Sequence, residues 1–168
     1  MTTQSNKIHT EVPLVLTGIK VDAALLKAKG ACSDGFSAFV QKFPDGADLQ
    51  EVLHWLAEIE KPDWAKWVFA NIGKASTITK IEGSLKVKFC FVAGSLSVSV
   101  GIEAGCGIEA GRGIEAGFSI VAKLTIACGL RIFAGLCGWR LPSEAEMQIH
   151  CSKLTRGEVS FGKLIEGE

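Results

Sequence analysis

The sequence predicts an α+β protein in which a small N-terminal helical module is followed by a hexad-repeat β-solenoid and a capping C-terminal β segment. Three observations predict this fold: helical spacing of apolar residues before Gly73, glycine-rich six-residue repeats after it, and loss of the repeat beyond Leu136. A chain of 168 residues, 48% hydrophobic and 21% charged, can bury a core in one domain or two small ones. The expected segments are a flexible tail (1–10), a strand plus helical module (11–73), the solenoid (74–140) and a C-terminal β cap (141–168).

The segment 11–73 changes from a strand-like to a helical pattern. Apolar residues nearly alternate between Glu11 and Val21, which predicts a short strand. Asp22 and Asp48 are suited to cap helices, and Glu51 completes a capping-box spacing with Asp48. The helices that follow are amphipathic, and we expect their tryptophans to contact the second part of the chain: Trp55, Trp64 and Trp67.

The strongest pattern is a six-residue repeat that begins at Ser84. It reads SLKVKF, CFVAG (one residue short), SLSVSV, GIEAGC, GIEAGR, GIEAGF, SIVAKL, TIACGL and RIFAGL, which makes nine units. Six residues are too few for a helical hairpin, whereas Ile-Glu-Ala places Ile and Ala on one face of a strand and Glu on the other. With glycine at the corners and three units in each coil, the repeat predicts three stacked coils. A glycine-rich antiparallel sheet is the alternative that this pattern leaves open.

A three-sided coil separates the acidic residues of the repeat. Glu103, Glu109 and Glu115 are expected to be exposed on three different faces, with Lys86 one coil away from Glu103 as an ion-pair partner. Beyond the repeat, Trp139 is expected to close the end of the solenoid, and strands predicted after residue 148 are expected to cover its edge.

Composition and motifs favour a protein without catalytic residues, cofactor or metal. The 18 Lys/Arg balance the 18 Asp/Glu, so the basic excess typical of direct nucleic-acid binding is absent. The six cysteines and three histidines lack the spacing of zinc ligands, and neither a nucleophile motif nor a phosphate-binding loop occurs. The polar N-terminus and the charges that interrupt the apolar run predict a cytoplasmic protein outside the membrane.

A rigid repeat surface is suited to binding, because little conformational entropy is lost when a partner docks on it. The candidate surface combines the carboxylates of the repeat with an arginine and two aromatic anchors, since Arg and aromatic residues dominate binding energies. Its residues are Glu103, Glu109, Arg112, Glu115, Phe118 and Trp139.

The repeats also carry a resemblance to known proteins. The run GIEAGCGIEAGRGIEAGFSI, with RIFAGLCGWR and CSKLTRGEVSFGKLIE after it, resembles small repeat proteins encoded among phage and prophage accessory genes. The earlier segment ACSDGFSAFVQKFPDGADL is similar to a helical module attached to other repeat proteins of bacteria and phages. This resemblance implies an inhibitor of a host defence complex, of the anti-CRISPR type, that acts in the host cytoplasm.

The expected function is therefore non-enzymatic binding of a host protein complex, one that itself handles nucleic acid, through protein–protein contact. Two alternatives stay open on the sequence alone: an oligomer that sequesters a small ligand or nucleotide, and an enzyme whose site one sequence does not reveal. Self-association is compatible with the binding function and with the ligand-sequestering oligomer.

Overall fold

The computed structural model describes residues 7–138 and 140–167, and it confirms a helical module followed by a parallel β-solenoid. The helices of the module are α1 (Ala23–Ala28), α2 (Ser33–Lys42), α3 (Leu49–Glu58) and α4 (Pro62–Asn71). Asp22 caps α1 by accepting from the Leu25 N–H, and Asp48 forms the expected capping box with Glu51 at the start of α3.

The strand expected between Glu11 and Val21 is mostly wrong. Only β2 (Lys20–Val21) forms, and it pairs antiparallel with β3 (Ala47–Asp48). Pro13 offers no N–H to a ladder, and the Thr17 N–H donates instead to the Asp48 carboxylate at 2.9 Å. Of the tail expected over 1–10, residues 1–6 lie outside the described ranges, whereas Ile8–His9 form β1.

The remaining strands wind into a three-sided solenoid of about five turns. Their bounds are β4 (Ile78–Ile81), β5 (Ser84–Val92), β6 (Ser95–Val98), β7 (Ile102–Ala110), β8 (Ile114–Ala116), β9 (Ile120–Ala122), β10 (Thr125–Ala134), β11 (Gln148–Cys151), β12 (Lys153–Phe161) and β13 (Lys163–Glu166). The long strands β5, β7, β10 and β12 each bend around a corner and contribute to two sides.

Each side of the solenoid is a ladder of parallel strands. Face 1 stacks β4, β6, β8 and the second halves of β10 and β12. Face 2 stacks β1, the first halves of β5 and β7, then β9, β11 and β13. Face 3 stacks the second halves of β5 and β7 and the first halves of β10 and β12. The parallel register excludes the antiparallel sheet that the repeat left open.

The register confirms three hexads in one turn. Ile102 lies beside Ile120, Ile108 beside Ile126 and Ile114 beside Ile132, so partners are 18 residues apart. These isoleucines are at most 2% exposed, and they form the interior of the solenoid with the small residues two positions later. The hexad layout of the sequence predicts Val92 as the neighbour of Glu109, and this is wrong: Glu109 lies beside Phe91, because a bulge between Val87 and Phe89 shifts the register.

The C-terminal β segment covers the last edge of the hexad turns, as expected, and it does so by continuing the solenoid. After an insertion at residues 135–147, β11 pairs with β9, β12 with β10, and β13 with β11, all in parallel. Ile149 lies beside Leu164, so this last turn has 15 residues instead of 18. Its interior aliphatic residues recur every five positions and define a shorter repeat: Ile149, Leu154, Val159 and Leu164.

The helical module closes the N-terminal end of face 3. The Gln50 side chain on α3 bonds to the backbone of Phe91 and Ala93 at the outer edge of β5. Phe91 and Ala93 are buried in the hydrophobic core of the module, and β1 covers the neighbouring edge of face 2. The solenoid therefore contributes Phe91 and Ala93 to the core of the module, which is separate from the core inside the solenoid.

Candidate functional site

Glu103 lies where the sequence predicted, on the exposed side of β7 on face 2. Its carboxylate is 3.1 Å from the Lys86 ammonium one turn away, and both side chains are more than half exposed. An ion pair of this kind contributes little stability because water screens it. Glu103 is therefore available to a partner, at the cost of its contact with Lys86.

Glu109 is not exposed, which corrects the sequence-based expectation. Its residue is 7% exposed on face 3, and the carboxylate accepts from the Arg156 guanidinium at 3.2 Å. Burial raises the pKa of Glu109 above its ordinary value, although the charges of Arg156 and Lys66 oppose this shift. Glu109 serves an internal ion pair and offers no surface to a partner.

Arg112 and Glu115 lie apart from the other two carboxylates. Arg112 is half-buried at the corner between faces 3 and 1, where its Nη1 donates to the Ser76 hydroxyl at 3.1 Å. Glu115 is exposed on β8 of face 1, between Ser97 and Phe133 on the adjacent strands. The structure thus brings no two of the predicted acidic residues together on one face.

Phe118 occupies the corner between faces 1 and 2, where the fold stacks apolar residues from successive turns. The Phe118 N–H donates to the Val100 carbonyl at 2.8 Å, and the Phe118 carbonyl accepts from the Gly135 N–H at 3.0 Å. Leu136 follows Gly135 and is 42% exposed. The predicted anchor Phe118 is therefore part of a column along this corner.

The insertion at residues 135–147 folds back onto this column. The Arg140 guanidinium lies 5.0 Å from the centroid of the Phe118 ring, which is the geometry of a cation–π contact. Leu141, the next residue, is 92% exposed. We name the set Val100, Phe118, Leu136, Arg140 and Leu141 the corner ridge. Trp139, predicted as a second anchor, lies outside the described residues.

Glu146 holds the insertion in place. Its carboxylate accepts from Arg140 Nη1 and Nη2 at 2.8 and 2.6 Å, and from the Ser143 N–H at 2.8 Å. The hydrogen bonds from Arg140 and Ser143 lower the pKa of Glu146 to about 2. The bidentate pair fixes Arg140 over the Phe118 ring and so gives the corner ridge a defined shape.

Four residues of the corner ridge were not predicted from the sequence: Val100, Leu136, Arg140 and Leu141. A signal for Leu136 was present, because the sixth position of four successive hexads is large and apolar: Phe118, Leu124, Leu130 and Leu136. In an 18-residue turn, Leu136 returns to the corner of Phe118, whereas Leu124 and Leu130 lie at the other two corners. For Arg140 and Leu141 no periodic signal existed, because they follow the end of the hexads.

The tryptophans that were expected between the two parts lie within the helical module. Trp55 is 9% exposed and its ring packs edge-on against Phe43, with centroids 5.5 Å apart. Trp64 and Trp67 are half-buried, and they line a cavity among the helices. The link to the solenoid is made through Gln50 and Phe91 instead.

Two findings concern metals and membranes. Across residues 7–138 and 140–167, His, Cys, Asp and Glu side chains nowhere gather in a group of three that could hold a metal ion. Every helix in the same ranges is too short or too polar to cross a membrane.

The comparisons with known proteins concern the module. No curated protein and no solved structure matches the chain. Residues 19–72, which run from just before β2 to the end of α4, match the family model described as the YdhT N-terminal domain. The helical module is therefore similar to the YdhT N-terminal domain.

Proposed function

We propose that this protein is a non-enzymatic binding protein whose corner ridge docks onto a partner protein. The observations that carry the proposal are two exposed leucines in the insertion and, between them in the chain, an arginine that Glu146 holds over Phe118. Leu136 and Leu141 are 42% and 92% exposed, and Arg140 stacks on the neighbouring Phe118. Clustered exposed apolar residues commonly mark interaction sites, and Arg and aromatic residues dominate their energies.

Rigidity supports this role. The column rests on the backbone ladder of the solenoid, and Glu146 bonds to both Arg140 and Ser143 of the insertion. Little ordering is left to occur on binding, so more of the contact energy is available as affinity.

The ridge also suggests the chemistry of the partner. The charge of Arg140 is already balanced by Glu146, so the ridge offers mainly apolar area with little net charge. A protein with a complementary apolar patch fits it better than a highly charged polymer does. That the partner is a host defence complex is implied only by the resemblance of the repeats, and no comparison supports a phage origin.

A capture experiment with matched variants tests the proposal. Tagged wild type and Leu136→Asp/Leu141→Asp are used to retain proteins from bacterial lysate at moderate salt. The control is Leu124→Asp/Leu130→Asp, because both control residues are 53% exposed at the other two corners. We expect a stoichiometric partner that the wild type and the control retain and the ridge variant loses at least tenfold. Circular dichroism confirms the fold of each variant.

Two results would argue against the ridge. Equal loss in both leucine variants would mean that retention is non-specific. Loss in Glu103→Lys/Glu115→Lys, with full retention by the ridge variant, would instead assign binding to the exposed carboxylates. Glu109→Lys is unsuitable for that comparison, because Glu109 is buried beside Arg156.

A further inference from the structure

A cavity of about 410 Å³ lies inside the helical module. Residues of all four helices line it, from Leu26 on α1 to Val68 on α4, and the turn at residues 30–32 forms part of its rim. Single small organic ligands commonly occupy cavities of a few hundred cubic ångströms or more. The cavity is therefore large enough for one such molecule.

Aromatic rings dominate the lining of this cavity. Trp55, Trp64, Trp67 and Phe39 all border it, together with aliphatic residues such as Leu56. Rings of this kind favour flat partners, because offset and edge-on stacking add to the burial of apolar area. A ligand with an aromatic ring system matches these walls.

The cavity offers little to a charged ligand. Among the residues that the structure describes, Asp63 is the one carboxylate in the lining. The Asp63 side chain is 89% exposed and lies 3.5 Å from the Lys66 ammonium. Asp63 therefore lies at the solvent-exposed opening of the cavity, whereas the interior walls are apolar. Burial of a charge among such walls without a partner costs free energy, so the cavity favours an uncharged molecule.

We propose that the helical module binds one uncharged aromatic small molecule in this cavity. The site is separate from the corner ridge, because every lining residue lies between Leu26 and Val68. The same residues fall within the stretch that matches the YdhT N-terminal domain. The chain therefore carries two binding sites, one on each of its parts.

Two probes that share their rings but differ in charge test this site. N-phenylnaphthylamine is uncharged, and anilinonaphthalenesulfonate carries a sulfonate on the same ring system. We expect the uncharged probe to bind the full chain saturably at one per chain, with energy transfer from the tryptophans and a rise in Tm. The sulfonated probe is expected to bind at least tenfold more weakly.

Variants locate the bound probe. Ala31→Phe places a ring into the cavity from its rim and should weaken binding of the uncharged probe at least tenfold. Trp67→Leu, which removes one aromatic wall, is the second variant and should weaken it several-fold. The matched control is Leu136→Asp/Leu141→Asp, which alters the corner ridge and should bind the probe like the wild type.

Several outcomes would overturn the inference. These are the absence of saturable binding by a folded wild type, equal affinity for both probes, or unchanged binding in both cavity variants. Loss of the probe in the ridge variant would assign it to the ridge. Loss of a captured protein in Ala31→Phe, without probe binding by the wild type, would assign the cavity to side chains of a partner protein.

Discussion

The side-chain amide of Gln50 takes the place of a neighbouring strand beside Phe91. Its Nε2 donates to the Phe91 carbonyl at 2.8 Å, and its Oε1 accepts from the Ala93 N–H at 2.8 Å. Gln50 is 1% exposed, so both bonds lie away from water. A helix residue thus satisfies the backbone groups that the first turn of face 3 would otherwise leave unpaired.

Replacement of Gln50 should show how much its two hydrogen bonds to β5 and Ala93 contribute to the free energy of unfolding. Gln50→Leu replaces the amide with an apolar group of similar size and leaves one buried carbonyl and one buried N–H without partners. We expect a loss of about 2–5 kcal/mol in the free energy of unfolding, measured by urea denaturation. Gln41→Leu is the control, because Gln41 is exposed on α2. Equal losses in the two variants would show that the closure adds nothing.

The pair of buried Glu109 and half-buried Arg156 should make stability depend on pH. Burial raises the folded-state pKa of Glu109 above its ordinary value of 4.5. Between these two pKa values, the folded chain binds more protons than the unfolded chain. The stability associated with the neutral carboxyl is therefore fully present below pH 4.5 and is lost as the pH rises through the raised pKa. Glu109→Gln should abolish this fall, as measured by Tm across pH.

Removal of Arg156 alone should lower the free energy of unfolding more than removal of both Arg156 and the Glu109 charge. Arg156→Leu leaves a buried carboxylate without its partner, and we expect a loss of about 1–3 kcal/mol at neutral pH. Combination with Glu109→Gln should restore most of that loss. Lys86→Leu is the matched control, because its partner Glu103 is exposed. A double variant as unstable as Arg156→Leu would contradict this account.

The corners of the solenoid should tolerate side chains unequally. A Cβ at Gly111 would overlap the carbonyl oxygen of Ala93 on the adjacent turn, whereas the nearest atom to a Cβ at Gly105 is 3.7 Å away. We expect Gly111→Ala to cost about 1–3 kcal/mol and Gly105→Ala to change stability by about 0.5 kcal/mol or less. Thermal unfolding of the two variants measures the difference, and similar Tm values would refute it.

Glu166 should limit contacts at the C-terminal end of the solenoid. Its carboxylate accepts from the Leu154 N–H at 2.7 Å, on an edge of β12 that no strand pairs with among residues 7–138 and 140–167. Glu166→Ala frees this N–H, and we expect end-to-end self-association to strengthen several-fold, by about 1 kcal/mol. Sedimentation over a range of concentrations measures it, with Glu158→Ala as the control. Identical masses for both variants would exclude a blocking role.

The fold could be predicted to the extent that its residues repeat. Hexads with isoleucine at the second position specify both the strand face and the turn, and the 18-residue register follows from them. The last turn was missed because its spacing is five residues, as between Leu154 and Val159, which a search for hexads does not reveal. Five residues on each side are still enough to complete a turn, since Leu154 and Val159 pack against the core inside the solenoid.

The site was less predictable than the fold, because burial of an outward residue depends on what covers its face. The sequence GIEAG is identical around Glu103 and Glu109, yet the Glu103 side chain is more than half exposed and Glu109 is buried. The difference arises on face 3, where Phe91 joins the core of the module and Arg156 reaches down from a later turn. Neither contact is encoded within the hexad itself.

The three-hexad turn restricts how this surface can change over generations. Loss or duplication of a single hexad would rotate every later residue by a third of a turn, and so carry the insertion with Arg140 to a corner that lacks Phe118. Gain or loss of three hexads together would lengthen or shorten the stack by about 4.8 Å and leave all corners aligned. The corner ridge is therefore kept only when hexads are gained or lost in multiples of three. Related chains that keep the ridge should differ in length by whole turns of the solenoid.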